Sequence, residues 1–542
     1  MGDEWLISGA PVYTADAPRR RTHAVLVRDG VIAAVGETDE VRAAAGPGAR
    51  RIELDGGMVV PGFQDAHIHA LHGGLAKLQC DLHDLPGREQ VLEKIRSYVA
   101  GNPGDSWILG SGWTLDAFVR TGPTAAELDA IVGDRPALLM DTNFHSAWSS
   151  SAALRLSGIG RSTPDPPDGR FERASDGSPS GTLHEGAIDL VQEHAPKPSP
   201  DQLRRGLLLA QEHLHSLGIT AWQDAWLDSE LAEIHRAAAL AGELSARVVG
   251  SLVWDAHRDA DQIDELAALA EHATVPGFEA RTIKIFLDGV VENGTGSMLE
   301  PYLDEQGGVT DNRGIDMVDP VAVLDYVTEF DRRGLQVHFH AIGDRAVRTG
   351  LDACEAALTA NGPRDSRHHI AHIQVVHPDD RARFRRLGVV ANAQPLWACN
   401  EPTMTDLTVP FLGPERSAWQ YPFGSLRRAG APLAFGSDWP VSSPDPLLEM
   451  EVAVRRVDPA DPDGEPFYPD ERLDIAAALD AFTIGAAFVN RMDDRTGSLE
   501  VGKAADLAVL EHDLFELDGR LSQTRVVLTM VGGRVVHDRG LT

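Results

Sequence analysis

The chain opens with short apolar runs punctuated by turns. Leu6-Ile7-Ser8 is followed by Ala24–Arg28, then Asp29-Gly30, then Val31–Val35. An Asp-Gly pair between two such runs is a hairpin signal. The C-terminal end repeats this character in 505–510 and 526–531, after which Gly532-Gly533 leads into Arg534–His537. The middle alternates differently. Eight apolar, strand-like segments, 58–69, 219–224, 247–254, 282–288, 336–342, 370–376, 389–394 and 433–438, are mostly separated by amphipathic stretches such as 201–217, 229–241, 261–272, 321–333 and 345–360. Repeated strand–helix units imply parallel strands joined by right-handed crossovers. Eight of them predict an α/β fold, a (β/α)8 TIM-type barrel whose functional end is the C-terminal end of its strands. The two β-rich ends predict a small β-sandwich domain built from both termini, 1–58 plus 495–542, around a barrel spanning 59–494.

The spacing is uneven. About 150 residues, 70–218, separate the first two strands, far more than one helix needs, so an insertion is expected there, suited to a substrate lid. It holds a loop rich in Pro, Asp and Gly at 163–180. A shorter segment, 292–313, follows the fourth strand and is a second candidate cover. No repeat or low-complexity tract is evident.

Composition narrows the class. Of 542 residues, 43% are hydrophobic and 24% charged, ordinary values for a globular protein. Lys plus Arg number 49 and Asp plus Glu 82, a formal charge of −33. That balance disfavours nucleic acid and anionic membranes as partners. Cys80, Cys354 and Cys399 are widely spaced and odd in number, which predicts no disulfide framework and a cytoplasmic protein. Neither a leader sequence at Met1–Trp5 nor a membrane-length apolar run is expected. The partner is a small-molecule substrate, with a homodimer left open.

Candidate chemistry gathers at the strand ends. The first segment ends in Pro61-Gly62-Phe63-Gln64-Asp65-Ala66-His67-Ile68-His69. Side chains alternate along a strand, so His67 and His69 share a face and can both reach one cation. The fourth segment carries Lys284 among apolar residues, the fifth His338 and His340, the sixth His372, and the eighth Asp438. In a barrel these ends converge. Four imidazoles and a carboxylate suit zinc or a similar divalent ion. A lysine inside an apolar strand must pair, lose its proton or be modified. An ion pair with Asp288 is the plain alternative, and a modified lysine bridging two metals the sharper one. His338 shares the face of His340 deeper in the barrel and is read as support behind the site. His369 and His377 stand at odd offsets from His372 and are read as facing away, and His72, His83 and His368 receive no role. Serine-hydrolase elbow, phosphate-loop and dinucleotide motifs are absent from the sequence.

These motifs, with His340–Ala346, Gly436–Pro440 and Gly497–Asp506, resemble the amidohydrolase superfamily, in particular its YtcJ-like branch, amidohydrolase family 3, which includes N-substituted formamide deformylases. The resemblance spans nearly the whole chain. It implies a metal-bearing barrel with one or two ions, zinc first. His67 and His69 would bind the more buried ion, Lys284, N6-carboxylated, would bridge, and His340 and His372 would hold the second. Asp438 would contact metal and act as general base, with His340 assisting catalysis. Departures are Ala66 where the family often has Ser, and Ser150 where it usually has Asn. Trp113, His145 and His184 are candidate substrate contacts. The implied reaction is metal-assisted hydrolysis of a non-peptide carbon–nitrogen bond: an amide, formamide or cyclic amide. An ester or lactone hydrolase, a decarboxylase on the same site, and a non-catalytic barrel scaffold are the alternatives.

Overall fold

The computed structural model describes residues 4–542 other than 84, 86, 119–121 and 167–168. Met1–Asp3, part of the stretch on which the leader expectation rests, lie outside these residues. The chain divides into two compact units. The first is Met1–His69, Gln211–Asp438 and Ser443–Thr542, and the second is Ala70–Ala210 with Trp439–Ser442.

The first unit contains the (β/α)8 barrel. Its strands are Phe63–Ile68, Ile219–Leu227, Arg247–Val253, Phe278–Phe286, Gln336–Ala341, His369–His372, Val390–Ala393 and Leu433–Phe435, paired in parallel in that order. The ends of this eight-stranded sheet meet where the Asp438 N–H, just past the eighth strand, donates to the His67 carbonyl at 2.8 Å, and Asn392 Nδ2 of the seventh strand reaches the Ala66 carbonyl of the first at 2.8 Å. Most of these strand residues are buried, as expected where helices cover one face and the barrel core the other. Helices begin where the sequence offers caps. Asp228 Oδ1 accepts the Leu231 N–H at 2.8 Å before Ser229–Leu240, and Asp474 does the same for Ala477 before Ile475–Asp480.

The first predicted strand, 58–69, is two strands. Met58–Pro61 pairs antiparallel with Leu507–Leu510, and Phe63–Ile68 pairs with Ile219–Leu227. The partner changes at Gly62, where an added Cβ would lie 2.4 Å from Thr220 Cγ2. Only glycine lets the chain pass so close to the second barrel strand.

The extra sheet domain built from both termini is also present. Its strands run Arg534–Asp538, Val526–Val531, Leu507–Leu510, Met58–Pro61, Glu4–Tyr13, Arg21–Arg28 and Val31–Gly36, with Arg50–Glu53 beside Glu4–Tyr13, all in one hydrogen-bonded sheet. Asp29 and Gly30 turn the last hairpin with φ of 52° and 82°. Trp5, Ile7, Val25, Val59, Leu507 and Leu528 form its core, drawn from both ends of the chain.

The second unit has a sheet of its own, in the order Gly169–Arg173, Pro179–Glu185, Ser146–Ser149, Ala137–Asp141, Ile108–Trp113, Cys80–Asp81. The segment 163–180, expected as a loop, therefore contains a strand and begins another. Helix Ala125–Val132 starts with a Thr124/Glu127 capping box. Trp113 and Trp148 are fully buried in this unit. The Nε1 of Trp113 donates to the Leu139 carbonyl at 2.7 Å. Trp113 is thus a core residue, which corrects its reading as a substrate contact.

Candidate metal centre and active site

The first barrel strand delivers His67 at its end and His69 just beyond it. The segment after the eighth strand returns Asp438 beside them. His67 Nε2 lies 3.1 Å and His69 Nε2 3.0 Å from Asp438 Oδ1. These three residues are the one His/Cys/Asp/Glu group with ligand atoms mutually within 4.8 Å among the described residues. Asp65 ties the seam together: its carboxylate accepts the His67 N–H at 3.0 Å and the Ser437 N–H at 3.1 and 3.2 Å. Gly436 permits the approach, since an added Cβ would lie 2.4 Å from the His67 nitrogen.

The other predicted ligands lie around this triad. The His372 ring centroid is 4.7 Å from that of His67 and 4.5 Å from that of His340. His340 stacks on Phe286 at 4.9 Å, and Lys284 Nζ stands 4.8 Å from the centre of the same phenyl ring. Lys284 is fully buried and its Nζ has no hydrogen-bond partner, as is true of His67 Nε2 and His372 Nδ1. Buried polar atoms left this way cost about 1–3 kcal/mol each. A divalent cation among them would satisfy the imidazole and carboxylate atoms, so the donor set fits a metal.

The electrostatics follow from burial. Desolvation pulls the Lys284 amine down to about 7 against the attraction of Asp438. Burial and the nearby Lys284 hold His67 well below its ordinary value, and burial does the same to His372, with His340 next. These two imidazoles are therefore neutral, the form that binds metal. Burial opposes ionisation of Asp438, but His69, His372 and Lys284 outweigh it, and the carboxyl stays below its usual range. Burial pushes Asp65 up to about 7 in spite of its hydrogen bonds.

Asp288 is not the partner of Lys284. Its carboxylate accepts backbone N–H groups from Ser297 at 2.8 Å, Ile342 at 2.9 Å and Gly343 at 2.8 Å, and it lies 3.4 Å from His340 Nδ1. That places it behind His340. His338 sits behind His67, with Nε2 2.7 Å from His67 Nδ1. His369 does not face away: its ring lies 4.0 Å from that of His338 and is fully buried. The parity reading fails because the backbone leaves the extended conformation at His372, with φ 75° there and 43° at Ile373. Asn392, Gln394 and Ser251 were missed. The signal for them was polar residues on buried strands.

In the second unit, His145 Nδ1 lies 3.0 Å from Glu185 Oε2. His184 uses both ring nitrogens, Nδ1 toward Ser146 Oγ at 2.9 Å and Nε2 toward Glu172 Oε1 at 3.2 Å. Neighbouring side chains of the inserted sheet thus occupy both ring nitrogens of His184.

A parallel barrel with imidazoles, an amine and a carboxylate grouped at the ends of its strands defines a metal-dependent hydrolase. A profile described as the amidohydrolase family matches residues 50–537, and the chain belongs to that family. It is accordingly a metal-dependent hydrolase of carbon–nitrogen bonds. It is 30% identical over 550 residues to an N-substituted formamide deformylase of Arthrobacter pascens, covering 98% of each chain. It is 29% identical over 540 residues to the putative amidohydrolase YtcJ of Bacillus subtilis (strain 168), covering 98% of this chain and 99% of the other. Its fold matches the crystal structure of an uncharacterized metal-dependent hydrolase from Pyrococcus furiosus with a TM-score of 0.72 and 25% identity, over 94% of this chain and 99% of that one.

Proposed function

We propose that this protein hydrolyses a non-peptide amide, formamide or cyclic amide, with zinc as its first metal. The observation that carries the reading is the convergence of His67 and His69 Nε2 on Asp438 Oδ1 at 3.1 and 3.0 Å. His67, His69 and Asp438 would hold one ion, and His340 and His372 a second. Lys284, neutral enough at about 7 to react with carbon dioxide, would bridge them as its N6-carboxylate. A divalent ion in such a site lowers the pKa of neighbouring water toward neutrality and polarises a carbonyl.

The chain's own residues do the rest. Asp438, ionised at neutral pH, accepts the proton of the attacking water at its carboxylate and returns it to the leaving nitrogen. An amine leaves poorly unless protonated, so one carboxylate that takes and returns a proton suits C–N cleavage. With one ion bound, His340, with Asp288 behind it, hydrogen-bonds the oxygen on which negative charge develops; with two, its imidazole would instead be a ligand of the second ion, which would polarise that oxygen. Trp397 lies nearly parallel to His372, with rings 5.5 Å apart and 12° between planes, and is half-buried. Such a wall supports an apolar or aromatic substituent on the substrate.

No helix among the described residues is long and apolar enough to cross a membrane. The three buried, unbridged cysteines support a reducing compartment, the cytoplasm.

Elemental analysis of the purified protein, chelation and zinc restoration test the proposal alongside a panel of N-alkyl formamides, cyclic amides and matched esters. Zinc-dependent turnover of amide-type substrates is expected. Turnover confined to esters, or unaffected by chelation, overturns it.

A further inference from the structure

A metal-binding imidazole has a second nitrogen, and the contact that nitrogen makes decides which one carries the proton. For His67 this second nitrogen is Nδ1, 2.7 Å from His338 Nε2. Two neutral imidazoles that close share one hydrogen, so one nitrogen donates and the other accepts. The remaining nitrogen of His338, Nδ1, lies 3.1 Å from Ser251 Oγ. His67, His338 and Ser251 are all fully buried.

Two directions are available along this chain of contacts. If His67 carried its hydrogen on Nε2, that N–H would stand 3.1 Å from Asp438 Oδ1 and the ring would have no lone pair to offer a cation there. If the hydrogen is on Nδ1, it has an acceptor in His338 2.7 Å away, and the Nε2 lone pair is left for a cation held beside Asp438. His338 must then carry its own hydrogen on Nδ1, where the Ser251 hydroxyl oxygen accepts it.

The plane of His338 is also fixed from its other side. Its ring lies 4.0 Å from that of His369. Asn392 Nδ2 contacts His369 Nδ1 at 3.1 Å and donates to the Ala66 carbonyl at 2.8 Å. The same asparagine thus braces the residue before His67 and the ring behind His338.

We propose that His338 is a positioning residue for the metal centre: it accepts the His67 Nδ1 hydrogen, passes its own Nδ1 hydrogen to Ser251, and so locks His67 in the tautomer whose Nε2 lone pair is presented to the cation. The contrast with His340 is chemical. His340 is backed by the Asp288 carboxylate, whereas His67 is backed by a neutral ring, which orients it without adding a further anion to the buried layer. This inference rests on the reading of His67 as a metal ligand.

Chelator competition for zinc, read with thermal melting, tests it on the full-length protein. His338→Phe removes the acceptor and should weaken zinc binding about 10–100-fold. His338→Gln restores an acceptor oxygen and should recover most of that loss, which a merely structural role would not produce. Ser251→Ala strands the His338 hydrogen and should weaken zinc binding by a smaller factor. Wild-type affinity in His338→Phe overturns the inference, as does equal loss in the Phe and Gln variants at unchanged melting temperature. Should His338→Phe fail to fold, Ser251→Ala decides: wild-type zinc affinity there overturns the relay. A wild-type protein that binds no zinc instead removes the metal reading itself, and with it this one, and that result is visible before any variant is made.

Discussion

The barrel seam at Gly436 offers the sharpest test of how this site is built. The Gly436 N–H donates to the Ala393 carbonyl at 3.1 Å, and two residues later the Asp438 N–H donates to the His67 carbonyl at 2.8 Å. In Gly436→Ala the new Cβ would sit 2.4 Å from the His67 nitrogen, 2.8 Å from its Cβ and 2.9 Å from its Cα. Ordinary contact begins at 3.4 Å, so the eighth strand must retreat by about 1 Å from backbone atoms that cannot rotate away. Asp438 travels with it, leaving the two Nε2 atoms it now meets at 3.0 and 3.1 Å. A displacement of about 1 Å at a reacting group costs about 100-fold in rate, and overpacking of this kind costs about 1–3 kcal/mol of stability. Steady-state kinetics on the best amide substrate, zinc content and a melting curve read all three effects. Gly48→Ala is the control, because nothing lies within 4 Å of its added Cβ. A Gly436→Ala protein with wild-type turnover and melting would refute the account of the seam, since the strands would then be shown to yield without moving Asp438.

Three further tests follow from the same geometry. Asp438→Asn should keep zinc nearly normally yet lose about 10²–10⁴-fold in kcat, and retained turnover removes Asp438 from proton transfer. Lys284→Ala should lose turnover and any second equivalent of metal by elemental analysis, with short carboxylic acids restoring part of both; no response to them argues against a bridging carbamate. Asp141 accepts the Ser146 N–H at 2.9 Å, and burial pushes it up to about 7 from an unfolded value of 3.8. The folded state therefore holds the extra proton, so stability falls as pH rises from about 4 to about 7. Asp141→Asn should raise the melting temperature at pH 8, with a gain of up to about 4 kcal/mol, and the advantage should shrink toward pH 4; an equal effect at both pH values refutes the titration.

The barrel was legible because its strands are buried on both faces and so read as compact apolar runs between amphipathic helices. All eight segments became barrel strands, and the helices at 201–217 and 229–241 were found at Pro200–Ser216 and Ser229–Leu240. What stayed hidden is what an apolar run does not encode. The run from Met58 to His69 changes hydrogen-bonding partner at Gly62 without any change in hydrophobic pattern. The inserted sheet was missed because its strands are short, down to Cys80–Asp81, and because its hairpin at 169–185 is polar. Trp113 looked available because it lies in a Gly-rich stretch, yet its ring fills that sheet's core.

The histidines divide along the same physical line. Alternation within one strand is a local property, so His67 and His69 could be placed on one face, and His338 beneath His340, from spacing alone. Alternation stops where the backbone turns, and at His372 it turns with φ 75°, which brings His369 and His372 inward together although their spacing is odd. Atom-level roles depend on closure of the barrel, which joins Asp65 to Ser437 across 372 residues and His67 to His338 across 271. A strand end therefore announces which side chains are available to a metal, whereas the hydrogen-bond direction behind each one is set by the strand on the far side of the barrel.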